Sequence, residues 1–240
     1  MVKKYSELYR EARKALLPID GPHQAGTTAR ELLQLASGKS AAELLADGEK
    51  YADTAVCIAL EKYLERMEKG EPLAYILGEW EFYGLKLHVT PDVLIPRDDT
   101  VAVAEIAIRQ ALFLDQNPRI LDLCTGSGCI GLAIASRVKD AKVTLADLSR
   151  EALAVAKKNV ALHHMSGRVS CVQVDAMAEP PAFLGQFVGG FERRMHGSAF
   201  FRCGHVSSFL RSGRFCARPK AVSFMYRVGE SAVNERGKSV

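Results

Sequence analysis

The hydrophobic rhythm of the chain changes near residue 118. Before that point apolar residues recur at three- and four-residue spacing, as in Ser6 to Leu17 and Thr28 to Leu35, the stripe of an amphipathic helix. Pro18 and Gly21-Pro22 separate these stretches, so two helices are expected. Ser40 and Glu43 have the spacing of a capping box and predict the start of a third. Tyr51 to Lys69 is a longer amphipathic segment, stopped by Gly70 and Pro72. Two runs of strand-forming residues flank Gly84 between Trp80 and Val89 and predict a β-hairpin. Pro91 and Pro96 bracket a loop, and Asp98 or Asp99 can cap a helix running to about Leu114.

From Arg119 strands and helices alternate. Arg119 to Leu123, Lys142 to Ala146 and Val169 to Val174 read as strands. Between them, a glycine loop and helix cover Gly126 to Val138, and a helix capped by Ser149 runs to about His164. Such alternation implies right-handed crossovers and a parallel sheet with helices on its faces. The expected fold class is therefore α/β, preceded by a small helical domain. The expected boundaries are a helical bundle over 1–72, a hairpin linker and helix over 73–117, an α/β half over 118–187 and an atypical tail over 188–240.

Composition narrows the class. The apolar fraction of 48% suffices for a packed core, yet no apolar run approaches the roughly 20 residues of a membrane span. Lys3-Lys4-Tyr5-Ser6-Glu7 is not the start of a signal core, so a cytoplasmic location without membrane attachment is expected. The six cysteines show no C-x-x-C spacing, which argues for reduced thiols and against a metal site. Charge is divided unevenly. Residues 188–240 carry eight Arg and two Lys against three Glu and no Asp, whereas the preceding 187 residues carry 22 basic and 25 acidic groups. The same tail holds six of the ten Phe, one Leu and no Ile.

The chemistry concentrates in Leu121-Asp122-Leu123-Cys124-Thr125-Gly126-Ser127-Gly128-Cys129-Ile130-Gly131. A strand ends in a glycine turn that opens a helix, where side chains would block a ligand's approach to the backbone. Gly126, Gly128 and Gly131 also satisfy the G-x-G-x-x-G pattern of dinucleotide sites. Asp122 changes the balance, because a carboxylate beside a pyrophosphate repels it but suits the sulfonium and amino group of S-adenosylmethionine. Asp147, at the next strand end, is placed to accept from ribose hydroxyls, which both cofactors contain. Asp175, at the third, can meet the amine of an adenine. A glycine turn or a strand-end acid can also serve packing or capping alone; three such acids in register with one loop point to a nucleoside cofactor.

Several segments together resemble a known family. Gly70-Glu71-Pro72-Leu73-Ala74-Tyr75-Ile76-Leu77-Gly78, Glu81-Phe82-Tyr83-Gly84 and Val93-Leu94-Ile95-Pro96-Arg97-Asp98-Asp99-Thr100 resemble the linker of the release-factor glutamine N5-methyltransferases. Asp122 through Gly128 resembles that family's cofactor loop, and Asp147-Leu148-Ser149 its ribose turn. The resemblance covers residues 5–187 and implies a Rossmann-like class I S-adenosylmethionine-dependent methyltransferase sheet. It further implies that Cys124, Thr125, Gly126, Ser127 and Gly128 lie along the methionine part, that Asp147 holds the ribose, and that Asp175 and Ala176 lie near the adenine. The implied partner is a peptide-chain release factor, docked in part by the helical domain and methylated on the glutamine of its Gly-Gly-Gln loop. Nucleic acid is not the expected partner, and a monomer is expected.

The resemblance stops near Phe187. The family's acceptor turn is Asn-Pro-Pro-Tyr, whose amide and carbonyl oxygens can orient a weakly nucleophilic amide nitrogen toward the methyl group. The only asparagines in the chain are Asn117, Asn159 and Asn234, and none precedes Pro-Pro, so no catalytic residue is identifiable. No strand–helix alternation is expected after residue 188; a change of reading frame there would account for the composition, and a divergent tail with its own fold or a basic arm for RNA are the alternatives. Impaired activity is the consequence. A non-catalytic nucleoside- or RNA-binding remnant, an NAD-dependent oxidoreductase and a nucleic-acid amino-methyltransferase are the competing readings.

Overall fold

The computed structural model describes residues 3–113 and 117–175, and the backbone of residues 221–225. The chain divides into two compact units, Met1–Trp80 and Glu81–Val240.

The first unit is helical. α1 spans Tyr5–Ser37 and is broken only at Gly21, whose φ of 73° and ψ of 175° are non-helical. The sequence predicts a wide interruption from Pro18 to Pro22, but the helix continues through Pro18, and Pro22 sits just after the break. There its missing N–H matters little, because the first amides of a helical segment have no intrahelical acceptor. α2 (Ala41–Ala46) has the expected capping box: Ser40 Oγ accepts from the Glu43 amide, and Glu43 accepts from the Ser40 amide. α3 (Thr54–Glu68) starts later than its apolar pattern suggests, because Tyr51 is held in an antiparallel bridge with Lys4. α4 (Leu73–Leu77), between Pro72 and Gly78, is too short to show a period. Leu8, Ala12, Leu16, Leu32 and Leu33 of α1 form one apolar cluster with Val56, Leu60 and Met67 of α3.

The second unit begins within a hairpin of β1 (Glu79–Phe82) and β2 (Leu85–His88). Its two turn residues, Tyr83 and Gly84, both have positive φ, 53° and 75°, the handedness a two-residue hairpin needs. α5 (Asp99–Leu112), β3 (Arg119–Leu123), α6 (Cys129–Arg137), β4 (Lys142–Asp147), α7 (Arg150–Leu162) and β5 (Val169–Gln173) follow. The strands pair in parallel, with Leu123 opposite Ala146 and Ala146 opposite Val172. Ile120, Val143 and Leu145 join a cluster with residues of α5, α6 and α7. Leu121, Leu123 and Ala146, alternating with them, are buried with Val174 in another cluster.

The tail contains a strand, β6 (Ala221–Met225), parallel to β3 with Ala221 opposite Arg119 and Met225 opposite Leu123. The sheet order is β5-β4-β3-β6, so the edge of β3 away from β4 is paired. The order reverses at β3, and a reversal of this kind opens a crevice at the carboxyl ends of the strands.

Candidate functional site

The loop leaving β3 occupies that crevice. Cys124 is exposed with a φ of 61°, a left-handed conformation that is costly for a residue with a Cβ. Thr125 then turns inward: its amide donates to the Ala146 carbonyl at 3.1 Å, which pins the loop to the end of β4. Gly126 has a φ of 55°, and among the described residues nothing lies within 4 Å of where a Cβ would stand, so the backbone there is open. Gly128, with a φ of 83°, is the opposite case, since a Cβ there would sit 3.0 Å from Leu145 Cδ1. Gly131 is tighter still, pressed against Leu145, Asp122 and Val143.

Asp122 lies beneath the loop, 3% exposed. Its Oδ2 accepts from Thr125 Oγ1 at 2.6 Å and from the Gly131 amide at 3.0 Å. Gly131 is in the first turn of α6, so this carboxylate sits at the positive end of a nine-residue helix. Burial pushes the Asp122 carboxyl up to about 6; its two hydrogen bonds oppose the rise, and the charge of Asp147 adds to it. Burial, and then the Asp122 charge, push the neighbouring Cys129 thiol up to about 12, so it stays neutral and unreactive.

Asp147, at the end of β4, is half-buried. Its Oδ2 accepts from the Gly126 amide at 2.9 Å and its Oδ1 from the Ser149 amide at 3.1 Å. The Val174 amide donates to the Asp147 carbonyl at 2.9 Å, which aligns the ends of β4 and β5. Asp175 follows, exposed, at the same end of the sheet. The fold thus gathers Asp122, Cys124, Thr125, Gly126, Ser127, Gly128 and Asp147 into one loop system with Asp175 at its margin; Ala176 lies outside the described residues. Open backbone at Gly126, beside strand-end carboxylates that accept hydrogen bonds, suits a ligand carrying hydroxyls and positive charge better than a phosphate.

The sequence reading overlooked Asn159 as a contributor to this loop. Asn159 is fully buried in α7; its Oδ1 accepts from the His88 amide at 2.6 Å, and its Nδ2 donates to the carbonyls of His88 at 3.0 Å and Ser127 at 2.9 Å. It therefore clamps the hairpin to the glycine loop. The available signal was an amide on the apolar face of a helix, among Val155, Ala156 and Val160.

The fold and this loop define an α/β unit of the class I methyltransferase type with a helical N-terminal unit, and comparison with known proteins agrees. Residues 7–78 match the PrmC N-terminal domain family, and residues 105–183 match the methyltransferase small domain family. The second match ends before the compositional change at residue 188. The chain is similar to release factor glutamine methyltransferases. It is 44% identical to that of Haemophilus influenzae over 138 residues, 56% of this chain and 47% of that protein. It is 44% identical to that of Chlorobaculum tepidum over 130 residues (52% and 43%) and 36% identical to that of Escherichia coli over 156 residues (65% and 54%). The chain spans about half the length of these curated relatives. Among the described residues no helix is long and apolar enough to cross a membrane.

Proposed function

We propose that this chain binds S-adenosylmethionine at the carboxyl ends of β3 and β4 and derives from an enzyme that methylates the glutamine of the Gly-Gly-Gln loop in release factors. The observation carrying the reading is Asp122 Oδ2 on the Gly131 amide at the start of α6. In a dinucleotide site that helix end attracts a pyrophosphate. Here the protein's own carboxylate holds the position and would repel one. The similarity to release factor glutamine methyltransferases supports the substrate assignment.

When bound, the cofactor supplies a methyl group on a sulfonium. Cys124 to Gly128 would lie along its methionine part, Asp147 would accept from the ribose hydroxyls, and Asp175 would border the adenine. Asp122 contributes negative charge and fixes the shape of the loop. No Asn-Pro-Pro-Tyr is present to orient the substrate amide. Transfer by this chain is therefore impaired, and the basic tail reflects a change of reading frame.

Calorimetric titration tests the cofactor assignment: S-adenosylhomocysteine should bind, and NAD should not. Tighter binding of NAD would overturn it. Incubation with a release factor and radiolabelled S-adenosylmethionine should give little label, and robust labelling would refute the impairment. Translating codons 180–240 in all three frames should reveal Asn-Pro-Pro-Tyr just after Phe187; its absence would refute the change of frame.

A further inference from the structure

The helical unit holds a cavity that the methyltransferase reading does not use. It measures about 320 Å³, and its lining includes Asp20, Thr28, Met67, Leu73 and Trp80. Asp20 Oδ2 is buried and has no hydrogen-bond partner among the described residues. A buried acceptor left without a donor is costly, so a missing donor is implied. The position sharpens the requirement. Asp20 ends the first segment of α1, immediately before the break at Gly21, where the helix dipole is negative. A carboxylate there is disfavoured, and a cation is favoured by both the side chain and the helix end.

The other acid of the lining is already committed. Glu71 accepts from Arg66 Nε at 2.7 Å and from Arg66 Nη2 at 2.6 Å. Met67 and Leu73 add apolar wall suited to an aliphatic stem, and Trp80 adds an aromatic ring of the kind that attracts cations.

We propose that this cavity receives an arginine side chain of the protein partner, its guanidinium donating to Asp20 and its stem lying against Met67 and Leu73. A planar fork with several donors matches a carboxylate beside an aromatic ring better than an ammonium does. The inference rests on the reading that the chain acts on a protein, and it names the chemistry by which the helical unit grips that protein.

Trp80 is the single tryptophan of the chain, so its fluorescence reports on this cavity alone. The full chain, without cofactor, is titrated with Nα-acetyl-arginine amide and, in parallel, with the neutral Nα-acetyl-citrulline amide and with spermidine. The expected result is a saturable change with the arginine amide, at least tenfold weaker with citrulline and with spermidine. Asp20→Asn, checked for an unchanged melting temperature, should weaken arginine binding at least tenfold. It should weaken release-factor binding equally while leaving S-adenosylhomocysteine affinity unaltered. No saturable change, or equal binding of citrulline in the unmodified chain, overturns the proposal without reliance on any variant. Tighter spermidine binding would make the site one for free polyamines and equally overturn it. S-adenosylhomocysteine binding, measured on the same sample, tests the methyltransferase reading separately, so failure of one is distinguishable from failure of the other.

Discussion

Asp122, Gly131 and Asn159 show how little freedom single residues have around the glycine loop. The folded-state value of Asp122, about 6, lies above the ordinary 3.8, so the folded chain prefers the carboxyl protonated. Its contribution to stability is therefore most favourable near pH 4, declines as pH rises to about 6 and is flat above that. The loss amounts to about 3 kcal/mol in all. Urea unfolding of the chain and of Asp122→Asn at pH 4, 5, 6 and 7 should show this slope only in the former. A bound cation favours the ionised form, so S-adenosylmethionine affinity should fall as pH drops below about 6. Gly131→Ala would drive a methyl group against Leu145, with Asp122 Oδ2 at 3.0 Å and Val143 Cγ1 at 3.2 Å. Overpacking of this kind costs about 1–3 kcal/mol, to be read as a lowered melting temperature. Asn159→Ala removes three hydrogen bonds and strands the His88 amide, for an expected loss of about 3 kcal/mol by urea titration.

At the scale of elements, local signals and packing divide the outcome. The Ser40–Glu43 box was legible because both partners lie within four residues of each other. Ser40→Ala should cost about 1 kcal/mol, measurable as a lower urea midpoint for the helical unit. The strands β3, β4 and β5 were legible as short apolar runs bounded by turns. The start of α3 was not, because Tyr51 is held by Lys4, 47 positions earlier in the chain. The passage of α1 through Pro18 was also obscure: a proline in sequence signals a break, but a helix tolerates one where packing on both sides holds it. β6 is the extreme case, since only its pairing with β3 marks it as a strand.

For the whole molecule, the reversal of strand order at β3 places the site, and the two units divide the tasks of holding cofactor and partner in the proposed function. A ligand specific for the folded state stabilises it by about 2.7 kcal/mol at a hundredfold excess over its dissociation constant. S-adenosylhomocysteine at such an excess should raise the melting temperature of this chain, and NAD should not. From sequence alone came the α/β class, the glycine loop and the identity of Asp122 and Asp147, because periodicity, glycine spacing and strand-end acids are all written within short windows. Tertiary structure alone decided that Asp122 caps α6 from beneath the loop, that Asn159 clamps Ser127 to the hairpin, and that Asp20 faces burial without a partner among the described residues. Each of these depends on groups brought together by packing, and the balance of desolvation against hydrogen bonding exists only once they are.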